Sequence, residues 1–407
     1  MKPRISVLVP TYNRAQFLPQ CLAGLFAQTL EPFEIIVVDD GSTDGTADLL
    51  RGYGERLQVI RQPNGGKSTA LNLGLERVQG DFVWTFDDDD VALPHALERM
   101  VAPLAANPDL GMTFAGYIKA QSLPDGTLDG HGIEKEVPAF PDADLFLTLL
   151  RKGNLLETSA AILVRTAVYR RVGPFDTRLI RSQDYDMVLR LSHSCAAARV
   201  PGPMFIFRQH EGLRGSARDR FTAEQKLAKW RVYDKIIIGK IRQETPLQDY
   251  LAQESRSAYP SPVLLRQAYL QRSGVMANAG LFAEMLDDLR SAFKIDGERQ
   301  LTDEERALWE EMDHHRFLED EKIMDRRFIC ELREVCKQRA GRQISILLAQ
   351  RLYWHARASM AGRRRRSAVR ALRSAWGLLG MREMIRTVCS RIARRPHVPA
   401  QQLPNQP

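Results

Sequence analysis

Thr85-Phe86-Asp87-Asp88-Asp89-Asp90 follows the apolar segment Phe82-Val83-Trp84, so four carboxylates stand where a buried strand meets solvent. Adjacent aspartates repel one another, and no folding argument asks for four of them at a strand end. A solvated acidic turn is the plain reading of such a run. The chemical reading is a hard divalent cation. Mg2+ or Mn2+ prefers carboxylate oxygens, often shares its shell with a substrate's phosphates, and removes the repulsion. The neighbouring segments decide between the two.

Upstream, Ile5-Ser6-Val7-Leu8-Val9 is a short apolar run closed by Pro10-Thr11-Tyr12-Asn13, which predicts a buried strand and its exit. A helical pattern runs from Phe17 to Gln28 with Leu18, Leu22, Leu25 and Phe26 on one face. Glu34-Ile35-Ile36-Val37-Val38 predicts a second strand with Asp39-Asp40-Gly41-Ser42-Thr43-Asp44-Gly45 as its exit turn, and Gln58-Val59-Ile60 a third. Lys67 to Arg77 is helical, and Phe82 to Phe86 is the fourth strand. Strands alternating with helices at this spacing predict right-handed βαβ units and a largely parallel sheet. Ligands in such sheets bind beyond the carboxyl ends of the strands. Pro10-Thr11, Asp39-Asp40 and the aspartate run all lie at those ends, so one shared rim is expected.

Asn64-Gly65-Gly66-Lys67-Ser68-Thr69 imitates a phosphate-binding P-loop, but position 61, where that motif needs glycine, is Arg. A glycine turn entering a helix explains it equally well. The helix start still offers free N–H groups and a lysine to a phosphate. Downstream, Gly111 to Tyr117 and Ser159 to Val164 are apolar segments separated by a loop-like stretch, Leu123 to Pro141. Gln183-Asp184-Tyr185-Asp186 opens a helix, where either acid alone reads as favourable charge at a helix N-terminus. Met204 to Arg208 predicts a last strand ending in Gln209-His210.

The totals bound the remaining possibilities. With 407 residues and 44% hydrophobic content the chain can fill two or three domains. No stretch approaches the 18 or so apolar residues of a membrane span. Met1-Lys2-Pro3-Arg4 runs into the first strand with no apolar leader. Cysteines 21, 195, 330, 336 and 389 are scattered, without metal-ligand spacing. Reduced thiols and a cytoplasmic location are the expectation. Net charge is +8, but Lys337 to the end holds 16 Lys or Arg against the single acid Glu383, or +15, leaving −7 on the first 336 residues. An anionic partner is expected for that tail.

Taken together, these segments resemble the family 2 glycosyltransferases, inverting enzymes with the glycosyltransferase A-type fold. The resemblance covers residues 4–215 and rests on five motifs in order: Ile5-to-Asn13, Val37-to-Thr46, Asn64-to-Asn72, Phe86-to-Pro94 and Gln183-to-Leu191, with Arg208-Gln209-His210 closing. It implies an α/β nucleotide-diphospho-sugar transferase domain with a mostly parallel central sheet, followed by an all-α C-terminal region. It also implies that Pro10, Thr11 and Asp40 hold the base and ribose, with Tyr12, Asn13, Gly65, Asn72 and Asp87 lining the nucleotide-sugar site. Lys67 would lie near the diphosphate and Asp88 at the ribose. Asp89 would bind Mn2+ or Mg2+ within Asp87-x-Asp89, with Asp87 a further candidate ligand and His210 completing the shell or touching phosphate. Asp184 would be the catalytic base, with Gln183 and Arg208 on the acceptor side. The family usually shows Glu-Asp where this chain has Gln183-Asp184, so one neighbouring carboxylate is lost. The implied partners are a nucleotide-diphospho-sugar donor, with a UDP-sugar expected, and a glycan or lipid-linked acceptor in cell-surface polysaccharide synthesis.

The chemistry agrees. An acceptor hydroxyl must lose a proton to one carboxylate, while a cation and lysine stabilise a departing nucleotide diphosphate. A single displacement inverts the anomeric centre and needs no covalent nucleophile, and no Gly-x-Ser-x-Gly occurs. A sugar nucleotidyltransferase would have a Gly-rich loop where Pro10-Thr11-Tyr12-Asn13 stands. A non-catalytic nucleic-acid-binding protein is suggested only by the basic tail, which carries no such motif.

Beyond residue 220 strand signals stop. Phe221–Arg242, Pro262–Arg272, Leu281–Phe293, Glu304–Lys337 and most of Gln343–Ile392 read as helices. Gly280 before Leu289-Arg290-Ser291-Ala292-Phe293 is echoed by Gly362 before Leu372-Arg373-Ser374-Ala375-Trp376, like a degenerate helical-hairpin repeat. The expected division is 1–220 catalytic, 221–395 helical, and 396–407 a disordered tail. Arg363 to Arg366, with Trp376, Leu378, Leu379, Met381, Met384 and Ile385, suit an anionic membrane surface. A peripheral position on the inner membrane face follows as an expectation.

Overall fold

The structure, a computed structural model, describes residues 2–123, 126–137, 145–210, 223–311, 325–361 and 365–380. Arg363, Arg364, Met381, Met384, Ile385, the end of the loop-like stretch at 138–141, the middle of the helix expected over 304–337 and the tail 396–407 lie outside the described residues. Two compact units divide the chain, Met1–Ile237 and Ile238–Pro407.

The first unit begins with four strands, β1 (Ile5–Thr11), β2 (Glu34–Asp39), β3 (Gln58–Arg61) and β4 (Phe82–Thr85), joined by helices α1 (Leu18–Phe26), α2 (Thr46–Arg51) and α3 (Lys67–Leu75). All seven residues of β1 are buried, as a strand covered on both faces requires. Helix α1 buries Leu18, Cys21, Leu22 and Leu25, the i, i+3, i+4, i+7 stripe of an amphipathic helix, and Pro19 sits in its first turn where no hydrogen bond is lost. Each buried leucine contributes roughly 1.5–3 kcal/mol. Helix α3 lies so close on β1 that a Cβ at Gly74 would fall 2.1 Å from Leu8 Cδ1. Only glycine permits that approach.

The chain continues through β5 (Val91–Ala92), α4 (Ala96–Ala106), β6 (Leu110–Gln121), β7 (Ile133–Lys135), α5 (Leu145–Lys152), β8 (Ile162–Arg165), α6 (Thr166–Val172), α7 (Gln183–Ser194) and β9 (Ala196–Gln209). One nine-stranded sheet results, ordered β3-β2-β1-β4-β8-β6-β9-β5, with β7 on β6. The parallel arrangement holds over β3, β2, β1 and β4. Past β4 the sheet is mixed. β8 runs antiparallel to β4 and β6, β9 parallel to β6, and β5 antiparallel to β9. The α/β fold with one curled sheet stands, and the parallel region is its N-terminal half. The carboxyl ends of β1, β2 and β4 share an edge, where Asp40 N–H donates to Thr11 O and Phe86 N–H to Leu8 O. That edge is the expected rim.

Helix α8 (Ala223–Glu244) carries the chain across the division into the second unit. Described elements there are helical: α9 (Gln253–Arg256), α10 (Pro262–Asn278), α11 (Phe282–Asp296), α12 (Asp303–Glu311), α13 (Arg326–Val335), α14 (Arg339–Ala361) and α15 (Arg365–Leu379). Gly280, at φ +71°, makes the turn between α10 and α11. The two echoed sequences lie in α11 and α15, each packed on the helix before it. Buried charge is paired: Arg266 donates to both oxygens of Glu305, and Asp288 receives Arg242 and Arg272. Among the described residues no helix is long and apolar enough to cross a membrane.

Candidate active site

The four aspartates do four different things. Asp87 accepts from Lys67 Nζ at 2.7 Å on one oxygen and from the Thr158 hydroxyl at 3.0 Å on the other. Asp88 is nearly buried, with Arg14 Nε at 3.7 Å. Asp89 Oδ2 meets His210 Nε2 at 2.9 Å, with Arg14 Nη2 at 3.9 Å. Asp90 is fully buried, accepts the Arg208 backbone N–H at 3.0 Å on Oδ1, and leaves Oδ2 without a partner. Burial, and then the negative charge of Asp89, push Asp88 and Asp90 above the usual carboxylate range. The plain acidic turn is therefore wrong, because these carboxylates are not solvated.

Lys67, from the first turn of α3, joins the run to α7. Its Nζ also lies 3.5 Å from Asp184 Oδ1. Burial opposes the lysine's charge, but Asp184 and Asp87 outweigh it and hold its pKa well above normal. Burial raises Asp184 despite the opposing pull of Lys67. Beside Asp184, Gln183 is buried with its Oε1 unpartnered. Asp186, read from sequence as a helix-terminus charge, is instead fully buried and ion-paired to Arg190 at 2.8 Å.

Several residues assigned to the nucleotide are spent on the protein. Asp40 is buried, and its carboxylate accepts from Gln62 Nε2 at 2.6 Å and from the N–H groups of Gly65 and Gly66 at 2.8 Å. The anion expected at the glycine turn is thus the protein's own carboxylate, and Gly66 reaches it with φ +93°. Gly65 has no N–H left for phosphate. Asn72 hydrogen-bonds the N–H and C=O of Phe175 at 2.8 and 3.0 Å and holds that loop instead of a ligand. Asn13 accepts the Thr43 N–H at 2.7 Å and fastens the exit turn of β2. Arg208 is buried. Its guanidinium donates to Asp89 O at 2.7 Å, Gly126 O at 2.7 Å and the Ser122 hydroxyl at 3.2 Å, and also binds Gln20. It braces the aspartate run from within the protein.

Other groups remain open. Pro10 lies in β1 opposite Val38, and Tyr12 beyond it is exposed. The Thr11 hydroxyl is buried without a partner. Asp39 Oδ2 is likewise buried without a hydrogen bond, 3.4 Å from Arg61 Nε. Sequence reading missed Asp39, Arg14 and Thr158. Only Asp39 left a signal, as the other half of the Asp39-Asp40 pair. Asn13, Glu157 and Ser182, at φ +53°, +57° and +56°, are the non-glycine residues with positive φ among the described residues. They precede or follow Tyr12, Thr158 and Gln183, so left-handed strain collects at this rim.

Among the described residues no three of His, Cys, Asp and Glu are grouped to enclose a metal. Each oxygen of Asp87 already has a protein partner, Lys67 on one and Thr158 on the other. Asp89 Oδ2 and His210 Nε2 meet each other at 2.9 Å, which sets a carboxylate and an imidazole side by side, and Asp90 Oδ2 and His210 Nδ1 are buried without partners. Such a pair fits a cation that takes its other ligands from phosphates and water, not a cation held by protein alone.

Residues 6–169 match the family model described as Glycosyl transferase family 2. An uncharacterized glycosyltransferase of Rickettsia typhi is 24% identical over 288 residues, covering 70% of this chain and 85% of that protein. The chondroitin synthase of Pasteurella multocida is 26% identical over 193 residues, 47% of this chain and 19% of that protein. Among solved structures, Staphylococcus aureus TarS 1–349 in complex with UDP-GlcNAc covers 91% of both chains at 16% identity, with a TM-score of 0.47.

Proposed function

Because its N-terminal domain makes this chain a family 2 glycosyltransferase, we propose that it moves a sugar from a nucleotide-diphospho-sugar, with a UDP-sugar the expected donor, to an acceptor hydroxyl with inversion. The observation that carries this reading is the link Asp87–Lys67–Asp184, which joins the strand-end carboxylates to one carboxylate on α7. Tyr12, the Thr11 hydroxyl, Asp39 and Asp88 are the open groups for base and ribose. Lys67 and Arg14 supply positive charge for the diphosphate. When bound, a divalent cation at Asp89 and His210 stabilises negative charge on the departing diphosphate. Asp184 takes the acceptor's proton, and its raised pKa makes it a stronger base than a solvated aspartate. Lys67 favours its ionised form against burial. With one base and no nucleophile required, a single displacement suffices.

A glycan or lipid-linked acceptor of polysaccharide synthesis is the proposed second substrate, supported by the similarity to chondroitin synthase. The test is a turnover screen across UDP-, GDP- and dTDP-sugars with Mn2+, followed by anomeric analysis of the product. Turnover of one donor, lost in Asp184→Asn, is expected. A retained anomeric configuration would overturn the single displacement.

A further inference from the structure

The second unit carries a face that the reaction does not use. In α15, Arg366, Val369, Arg370, Arg373 and Trp376 are all exposed. At about 100° per residue they fall within a sector of about 120°. Ala368, Ala371, Ala375 and Leu378 on the opposite side are buried. Val369 and Trp376 are 46% and 49% exposed, large apolar side chains set among three guanidinium groups. On α14, Trp354 and Met360 are also exposed, and Arg357 lies over the Trp354 ring at 5.1 Å. No Asp or Glu occurs between Lys337 and Glu383, so no carboxylate from within these helices neutralises them.

We propose that this outer face of α15 docks on an anionic lipid surface. Arginines with Trp and aliphatic side chains on one helical face suit the headgroup boundary, where charge meets anionic lipid and the apolar members insert. Val369 and Met360 favour a bilayer over a nucleic acid, since neither stacks on a base nor reads one. With no spanning helix among the described residues, the proposed attachment is peripheral and reversible. This docking is independent of the reaction proposed for the first unit.

The experiment is cosedimentation of the full chain with phosphatidylcholine vesicles with or without phosphatidylglycerol, at low and high salt. Binding to the anionic vesicles is expected, lost as salt rises. Arg366→Ala/Arg370→Ala/Arg373→Ala should bind about a hundredfold more weakly, with about a fifth of the affinity kept per arginine. The corresponding triple Lys variant should bind like the parent, and Trp376→Ser should weaken binding at every salt concentration. Thermal melting and donor turnover are followed in parallel; if the Ala variant misfolds, the Lys and Ser variants still decide. No binding to anionic vesicles at low salt, equal binding by the Ala variant, or equal binding to uncharged vesicles overturns the proposal. Tighter binding to a single-stranded RNA, with vesicles unable to compete, would give the face to nucleic acid instead.

Discussion

Oδ1 of Asp184 stands 3.5 Å from Lys67 Nζ and makes no hydrogen bond. Lys67 thus favours the ionised form of the proposed base, and its buried Oδ1 keeps a lone pair that no protein hydrogen bond takes. Asp184→Asn should lower transfer by about 10²–10⁴ and barely change donor affinity. Initial rates beside a nucleotide titration check it. A large loss of nucleotide binding would move Asp184 to the donor side.

The same pair sets a pH dependence. Burial raises the Asp184 pKa and Lys67 pulls it down, with burial dominant. A base works only when deprotonated, so kcat/KM should fall as pH drops through this raised value, above the ordinary carboxylate range. Lys67→Met removes the lowering influence, and the acid limb should move to still higher pH. An unmoved limb contradicts the coupling.

Asp89→Asn should abolish Mn2+-dependent UDP binding and turnover with the unfolding midpoint nearly unchanged, because the side chain is at a rim. Activity that survives excess chelator in the parent protein would shift neutralisation of the diphosphate to Lys67 and Arg14.

Asp40 and Asp186 should behave as structural residues. Asp40→Ala leaves the Gly65 and Gly66 N–H groups unpaired, a cost of about 1–3 kcal/mol for each one that stays buried. Asp186→Asn strips a buried partner from Arg190, at about 3–5 kcal/mol. The low end is expected, because Arg190 keeps the carbonyls of Val172 and Pro174. Urea unfolding measures both, and unchanged midpoints would return these residues to the chemistry.

Periodicity made β1, β2, β4 and α1 legible, since a strand buried on both faces and a helix buried on one leave distinct apolar patterns. Strand β9 was legible only from Met204 to Arg208. Its start, Ala196-Ala197-Ala198, lacks β-branched residues, and Pro201-Gly202-Pro203 accompanies an irregular register with β6. The rim was legible because strand exits follow from strand ends. What each polar side chain does there was not. Asp39 and Asp40 are chemically identical neighbours, and only the folded turn determines which one caps Gly65 and Gly66. The partners of Asn72 and Arg208 were hidden for the same reason, as Phe175, Gln20 and Gly126 are distant in sequence.

The bracing of Asp89 and Asp90 by Arg208 has a consequence for the order of biosynthesis. The ribosome delivers β1 to β4 and the aspartate run early, but the proposed base arrives at residue 184 and the brace at 208. The emerging chain therefore carries an acidic edge whose charge partners from the same half are Lys67 at Asp87 and Arg14 at Asp88 and Asp89. Until β9 has been made and paired with β6, the chain lacks the arginine and histidine that seat Asp89. Every truncated product ending before residue 210 thus lacks the imidazole that meets Asp89.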